Sequence, residues 1–336
     1  MKRLTLQIAT LLLLLLTTAG WSEPAGLLLG FRRSKPTPHN PEAYSPERAF
    51  DYFTVWIYPQ QGGYRHALGP DLLVPRSDGF WKAGVIRQNE PNWVEDHLFA
   101  YPLGQPKKPE MGPPWGTEGH TSNEITYVGP KGMSVLTHSG GYTEGAAHPW
   151  NNWTLETRDL DKVNRSVRIQ SVWGREGWQQ LKKGAEEYME AHPKKIGILR
   201  SLPRENAWGV VRKPGRWEVE GLLSHDNEVY RGSHAVFPVN LPIPKTISAH
   251  DRLSFGMTAL RAKVPGAVDA FQAPGGSPLV VLTKDYIHVY DGWPSMNPEL
   301  TIDLTAPSQP IMAEWALGDY VPKWTQTVMD FVGADI

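Results

Sequence analysis

The sequence predicts an α+β protein in which β-structure dominates. Aromatic residues are frequent, with 14 Trp, 12 Tyr and 9 Phe among 336 residues, and the chain contains 32 Gly and 30 Pro. This composition is typical of many short strands joined by tight turns. Two segments show helical periodicity instead, so we expect mainly antiparallel strands and hairpins accompanied by two amphipathic helices.

Four hairpins account for most of the predicted strands. In each, an apolar run, a turn containing Gly, Pro or Asp, and a second apolar run follow one another, which is the pattern of an antiparallel pair. A further strand is predicted over the aromatic segment Phe50–Tyr58. The hairpins lie at 72–86, 125–136, 208–221 and 279–290. Repeated hairpins leave an all-β propeller of about six or seven blades as the alternative fold, although their spacing is uneven.

The two helices are predicted from apolar residues that recur at helical spacing. Over Arg175–His192 the charged residues take the opposite face, and Pro193 ends the segment. Over Asp319–Phe331 aromatic and aliphatic residues form a second stripe. The Asp319 carboxylate is placed to cap the free amides of its first turn.

The N-terminal residues show the pattern of an export signal. Lys2 and Arg3 precede an apolar run over 8–16 and a small-residue exit that ends at Ala19. This run is shorter than the ~20 residues that a membrane-spanning helix needs. We therefore expect 1–19 to be a cleaved signal peptide, with no stable membrane span and a secreted or periplasmic mature protein.

Proline content predicts the organisation of the remaining chain. Four prolines and few apolar residues over 34–46 indicate a proline-rich linker, which we place at 20–49. The β-rich body is then 50–336, with two subdomains that divide near 195–205. A second stretch rich in Pro and Gly, at 102–119, predicts a long loop.

Charge and composition exclude several classes of function. The chain has 34 Lys and Arg against 35 Asp and Glu, so nucleic acid and anionic membranes are not expected as partners. It has no cysteine, which excludes disulfides, thiolate catalysis and thiolate metal sites. Neither a Gly-x-Ser-x-Gly nor a His-Glu-x-x-His motif occurs. The sequence therefore assigns no catalytic residue, metal or cofactor, and Glu95–His97 is interpreted as a solvated strand end.

One cluster is the candidate for ligand binding. A Gly-rich segment over 139–149 follows a predicted strand and is flanked by aromatic residues. Small residues allow a ligand to approach the backbone, while imidazole and indole rings supply polar and stacking contacts. The alternative interpretation is a turn whose histidine satisfies a backbone group. The candidate ligand-binding residues are Tyr142, His148, Trp150 and Trp153, with His120 and His138 nearby in sequence.

Tryptophans divide into two sets by their surroundings. Exposed indoles stack on sugar rings through their flat apolar faces, and those in loop-like segments are candidates for this role. Those within strand or helix patterns are expected in the core, since indoles are usually buried in part. The first set is Trp115, Trp150, Trp153 and Trp293. The second set is Trp56, Trp81, Trp173, Trp178, Trp217 and Trp324.

The order of these features resembles a known family. An aromatic residue, the segment 145–149, a strand end at 159–161 and the helix at 175–191 follow the order found in the extracytoplasmic domain of lysozyme-sensing anti-sigma factors. Related domains accompany some peptidoglycan deacetylases. This chain has Ala146 in place of a family glycine and shows no predicted transmembrane helix or cytoplasmic anti-sigma segment. The resemblance covers residues 120–305 and implies an α+β binding domain that faces the cell envelope.

The function expected from these observations is binding or sensing at the cell envelope by a secreted protein. Its ligand is expected to be a glycan, a peptide or a protein, and the sequence does not distinguish among them. The alternative from another class is a secreted hydrolase acting on envelope glycans or peptides.

Overall fold

The computed structural model describes residues 23–36, 48–90, 92–106, 118–142, 150–193, 202–224, 234–250, 252–294 and 297–333. Within these ranges the chain forms four β-sheets and three helices. Nearly all strand pairs are antiparallel, and the described strands close into neither a barrel nor a propeller. The predicted α+β class is confirmed. The propeller alternative is wrong, because the strands form open sheets packed against one another instead of blades around an axis.

Two large sheets form the middle of the molecule. The central sheet contains β1 (Ala25–Lys35), β2 (Ala49–Gln60), β3 (Gly63–Pro70) and β18 (Gln309–Leu317), in the order β18–β1–β2–β3. The long sheet contains β4 (Leu72–Arg76), β5 (Gly79–Glu90), β6 (Trp93–Pro102), β7 (Glu118–Gly129), β8 (Gly132–Tyr142), β9 (Trp150–Asp159) and β10 (Lys162–Ser166), in sequential order. Only β6 and β7 pair in parallel within it.

Two smaller sheets and the helices pack around this middle. The small sheet is β11 (Trp208–Lys213), β12 (Arg216–Ser224) and β13 (His234–Val239). The outer sheet is β14 (Asp269–Gln272), β15 (Leu279–Leu282), β16 (Tyr286–Tyr290) and β17 (Leu300–Asp303). The helices are α1 (Gln170–Ala191), α2 (Met257–Lys263) and α3 (Tyr320–Gly333). All four predicted hairpins and both predicted helices are present.

Among the residues that the structure describes, no helix combines the length and the apolar character needed to cross a membrane.

Strand β1 corrects the prediction of a linker at 20–49. Residues 25–31 are all buried, because both faces of β1 are covered. Leu28 packs in the core shared with the long sheet, while Leu27 packs in the core shared with the outer sheet. A strand buried on both faces has a continuous apolar run without alternation. The linker was predicted from the prolines that follow this strand. Residues 37–47 lie outside the described residues.

A buried ion pair joins the small sheet to the outer sheet. Arg212 on β11 donates from Nε to Asp269 Oδ2 at 2.8 Å and from Nη2 to Oδ1 at 3.0 Å. Arg212 also donates to the Ala270 carbonyl oxygen at 2.8 Å, and the Gly215 amide donates to Asp269 Oδ1 at 2.6 Å. Each charge therefore has several hydrogen-bond partners. Removing one partner from such a buried pair typically costs about 3 to 5 kcal/mol.

The buried position of β1 predicts a large effect of truncating Leu29, which is fully buried. We expect Leu29→Ala to lower the free energy of unfolding by about 2 to 5 kcal/mol, because it removes packing contacts and leaves a cavity. Urea unfolding measures this change. Leu68→Ala is the control, since that side chain is 44% exposed, and its effect should stay within roughly 1 kcal/mol. Equal small losses in both variants would contradict the placement of β1.

Candidate functional site

The candidate segment joins β8 to β9 at one end of the long sheet. Tyr142 is opposite Glu118 at the end of β8, and Trp150 is opposite Gly141 at the start of β9. His148 lies outside the described residues. The structure therefore does not test three of the four predicted ligand residues. It does place Trp153 beside histidines from other strands.

The register of three strands brings Trp153 next to His138. Ser122 on β7 is opposite His138 on β8, and His138 is opposite Trp153 on β9. Directly opposed residues of antiparallel strands project from the same face of a sheet. The three side chains therefore form one row across β7, β8 and β9.

The next row along the sheet contains His120, Gly140 and Asn151. Gly140 is opposite both His120 on β7 and Asn151 on β9. Because Gly140 has no side chain, it leaves space above β8 into which the neighbouring rings can reach. His138 contacts both flanking strands through His120 and Asn151.

A hydrogen-bond chain connects these two rows. His138 Nε2 lies 2.9 Å from Asn151 Oδ1, and His138 Nδ1 lies 3.2 Å from His120 Nε2. A carboxamide oxygen only accepts, so His138 Nε2 carries the proton and donates it to Asn151. In neutral His138 the Nδ1 atom is then the acceptor, and His120 Nε2 donates to it. The chain of donors and acceptors requires His138 to be uncharged, because its Nδ1 atom accepts, and it requires His120 to carry a proton on Nε2.

Trp153 lies between two imidazole rings. Its ring centroid is 4.0 Å from that of His138, with an interplanar angle of 18°. On the other side His234 stacks at 4.1 Å and 20°. His234 begins β13, so the small sheet contributes to this arrangement. Both faces of the indole are covered, and Trp153 offers a ligand its edge instead of a free face. We call His120, His138, Asn151, Trp153 and His234 the histidine–tryptophan cluster.

Burial lowers the pKa of both buried histidines. For His120, desolvation is the main cause, and the positive charge of Arg87 adds to it. For His138, desolvation and the neighbouring His120 lower the pKa to about 4, with a further contribution from Arg48, although the hydrogen bond to Asn151 opposes the change. Since the charged forms are disfavoured, both imidazoles are neutral at pH 7.

The ionised groups beside the cluster form ion pairs with one another. Glu124 on β7 is buried, and it binds Arg32 Nη1 at 2.5 Å and Arg48 Nη1 at 2.7 Å. Arg87 forms a bidentate pair with Asp96, at 2.7 Å and 2.9 Å. The Arg48 guanidinium also lies over the Trp153 ring, 6.0 Å from its centroid. This arginine therefore connects the buried carboxylate to the outer part of the cluster.

The chemistry available to the cluster is hydrogen bonding more than proton abstraction. A general base is most effective when its pKa lies near the working pH, and that of His138 is about 4.

Within the described ranges, no group of three or more His, Asp or Glu side chains is arranged to hold a metal ion. The Ser122 hydroxyl is buried and has no hydrogen-bond partner among the described residues.

Sequence reasoning identified only part of this cluster. His120, His138 and Trp153 were found because they lie close together in the chain. His234 and Arg48 were missed, because they reach the cluster from β13 and from the residue before β2. The register of β8 with β9 is the signal that would have added Asn151, since it aligns with Gly140.

Trp293 and the six tryptophans expected in the core do not belong to the histidine–tryptophan cluster. Trp293 is 44% exposed and meets the Phe255 ring edge-on at 4.4 Å. Trp115 lies outside the described residues. All six tryptophans expected in the core belong to or pack against the apolar cores: Trp56, Trp81, Trp173, Trp178, Trp217 and Trp324.

Comparisons with known proteins find no relative by sequence and a weak likeness among solved structures. No family model matches the chain, and no curated protein matches it. Among solved structures, the chain is similar to a DUF3298 family protein from Pseudomonas aeruginosa, with 11% sequence identity and a TM-score of 0.28. The match covers 47% of this chain and 89% of that chain. A likeness at this level carries no argument about fold or function, and the resemblance to anti-sigma factor domains stays a prediction.

The low pKa of His138 predicts a specific dependence of stability on pH. In the unfolded chain its pKa returns to the ordinary value of 6.5, whereas in the folded protein it is about 4. The folded state therefore binds fewer protons, and the contribution is fully present above pH 6.5 and is lost as the pH falls towards 4. After allowance for solvent screening, we expect a loss of roughly 1 to 2 kcal/mol from this group.

Urea unfolding between pH 7 and pH 4 measures this loss. His138→Gln keeps a polar side chain but removes the titration, so the variant should lose less stability over this interval than the unmodified protein. His192→Gln, an exposed substitution after the end of α1, is the control for replacing a histidine with glutamine. An identical pH dependence in His138→Gln and the unmodified protein would rule out this account.

Proposed function

We propose that this is an exported binding or sensing protein of the cell envelope and that the histidine–tryptophan cluster is its ligand site. One observation carries the proposal. The cluster has a buried end at His120 and His138 and a surface end at His234, with Arg48 beside it. A ligand at the surface end would contact groups whose positions are held by the buried hydrogen-bond chain. Such support for surface groups is typical of a preorganised binding site.

The surface end suits a ligand rich in hydrogen-bond acceptors. The Arg48 side chain is 41% exposed although it binds Glu124, so it retains donors that face solvent. Trp153 presents its ring edge, because both of its faces are covered. Hydroxyl, carbonyl and carboxylate groups of an envelope glycan or its attached peptide match these donors. The expectation that a sugar stacks on the face of Trp153 is wrong, because His138 and His234 cover both faces.

Two features favour binding over the alternative of a hydrolase. The N-terminal pattern of Lys2, Arg3 and the apolar run over 8–16 indicates export towards envelope material. The pKa of His138, at about 4, makes this imidazole a weak base at neutral pH. We therefore propose a binding or sensing role over a hydrolase, and we propose that the protein is secreted or periplasmic.

Cosedimentation with purified peptidoglycan sacculi tests the proposal. We expect His234→Ala to weaken binding about fivefold, because one lost hydrogen bond is worth ~1 kcal/mol. The melting temperature should change little, since His234 is exposed and exposed substitutions usually stay within ~0.5 kcal/mol. His66→Ala is the matched control, because His66 is also exposed on a strand but lies on β3 of the central sheet.

The control should bind sacculi as the unmodified protein does. Equal binding by His234→Ala and His66→Ala would contradict the assignment of the site. Failure of the unmodified protein to bind sacculi would contradict the proposed class of ligand.

A further inference from the structure

A groove of about 1610 Å³ lies away from the histidine–tryptophan cluster. It runs between α1, the turn that joins β11 to β12, and the segment that joins β13 to α2. Pockets for small molecules usually measure about 300 to 1,000 Å³. The groove is larger than this, so its size favours a ligand longer than a small molecule. This site is independent of the function proposed above.

Hydrogen bonds hold the walls of the groove in place. Trp173 Nε1 on α1 donates to the Pro242 carbonyl oxygen at 2.9 Å. The Ser254 amide donates to Gln272 Oε1 at 2.8 Å, which ties the segment before α2 to the outer sheet. The buried Arg212–Asp269 pair joins the two sheets behind them. A groove whose walls are fixed before binding loses less conformational entropy when a ligand enters.

Among the described residues that line the groove, the charges leave an excess of cations. Lys183 pairs with Glu187 at 3.6 Å, and Arg216 pairs with Glu218 at 2.6 Å, so these four charges compensate one another. Lys245 and Arg252 also line the groove, and both are exposed.

Neither Lys245 nor Arg252 forms an ion pair within the described part of the chain. The described lining therefore carries two uncompensated positive charges along one wall. Charge complementarity favours a ligand that carries carboxylates.

Apolar side chains occur on the same wall as the cations. Leu253, Phe255 and Met257 line the groove at alternate positions of the segment that leads into α2. Leu253 has an aliphatic side chain and Met257 has a thioether. The ring of the exposed Trp293 contacts the ring of Phe255 edge-on. The three side chains on this wall are partly buried against the apolar core of the outer sheet, and the surface that they leave open suits aliphatic side chains better than the flat faces of sugars. Peptide side chains therefore fit this wall better than a glycan does.

We infer that this groove binds an acidic peptide segment of a partner protein. Carboxylates of the segment pair with Lys245 and Arg252, and its apolar side chains pack against Leu253, Phe255 and Met257. Neither residue set belongs to the histidine–tryptophan cluster, so the two sites can be tested separately.

Fluorescence anisotropy with a labelled dodecapeptide of Glu, Leu and Ser tests this inference on the whole protein. We expect Lys245→Glu combined with Arg252→Glu to weaken binding by about tenfold or more, because two attractive charge pairs become repulsive. Lys263→Glu combined with Lys284→Glu is the matched control. Both of these lysines are exposed and lie outside the groove, and the net charge changes equally. The control should bind the peptide as the unmodified protein does.

Three further measurements distinguish an acidic peptide from other ligands of this groove. Leu253→Ser should also weaken binding, whereas a peptide with Gln in place of Glu should bind at least about tenfold more weakly to the unmodified protein. An oligogalacturonate of similar charge should not displace the peptide. The inference would be overturned by equal loss in the control, by equal binding of the neutral peptide, by displacement with the oligogalacturonate, or by no peptide binding at all.

Discussion

Burial of polar side chains along β7 is the constraint on which the arrangement of the large sheets depends. His120, Asn123 and Glu124 are all buried there, and buried polar groups need partners. The partners come from other elements. Arg32 on β1 binds Glu124, and Asn123 donates from its side-chain Nδ2 to the carbonyl oxygen of Asp96 on β6 at 2.6 Å and from its backbone amide to the Asp96 carboxylate at 3.0 Å. The central sheet therefore packs on the long sheet in a position where its arginine reaches this carboxylate. Apolar packing alone would not specify that position, because it is non-directional.

The same burial determines the chemistry of the candidate site. His120 and His138 are removed from water beside the cations Arg48 and Arg87, so their neutral forms are favoured. Neutral imidazoles can form the hydrogen-bond chain to Asn151, whereas two imidazolium ions at this distance would repel each other. The polar layer that positions the sheets thus also fixes the tautomers in the cluster. One set of side chains therefore stabilises the packing of the sheets and builds the candidate site, and buried polar networks of this kind confer specificity on a fold.

The turns and amphipathic helices were predicted correctly from local patterns in the sequence. The Asp-Gly turn after β4 and the apolar spacing of α1 were sufficient, because turns and amphipathic helices are encoded by nearby residues. Strand β1 was missed, since an apolar run covered on both faces shows no alternation and the prolines that follow it predicted a linker. Trp153 was predicted as a ligand residue from its neighbours, but its covered faces were not, because His234 is distant in the chain. Contacts between residues of different sheets cannot be predicted from one local segment of the sequence.

The ionisation of His120 and His138 is the property that tests this account most directly. Nitrogen-15 NMR of the imidazole rings, recorded as a function of pH, reports both the tautomer and the pKa of each ring. The account predicts that His138 carries its proton on Nε2, remains neutral at pH 6 and titrates near pH 4. It also predicts a lowered pKa for His120. Titration of both rings at the ordinary value of about 6.5, with free exchange of tautomers, would contradict the buried polar layer on which the rest of the interpretation depends.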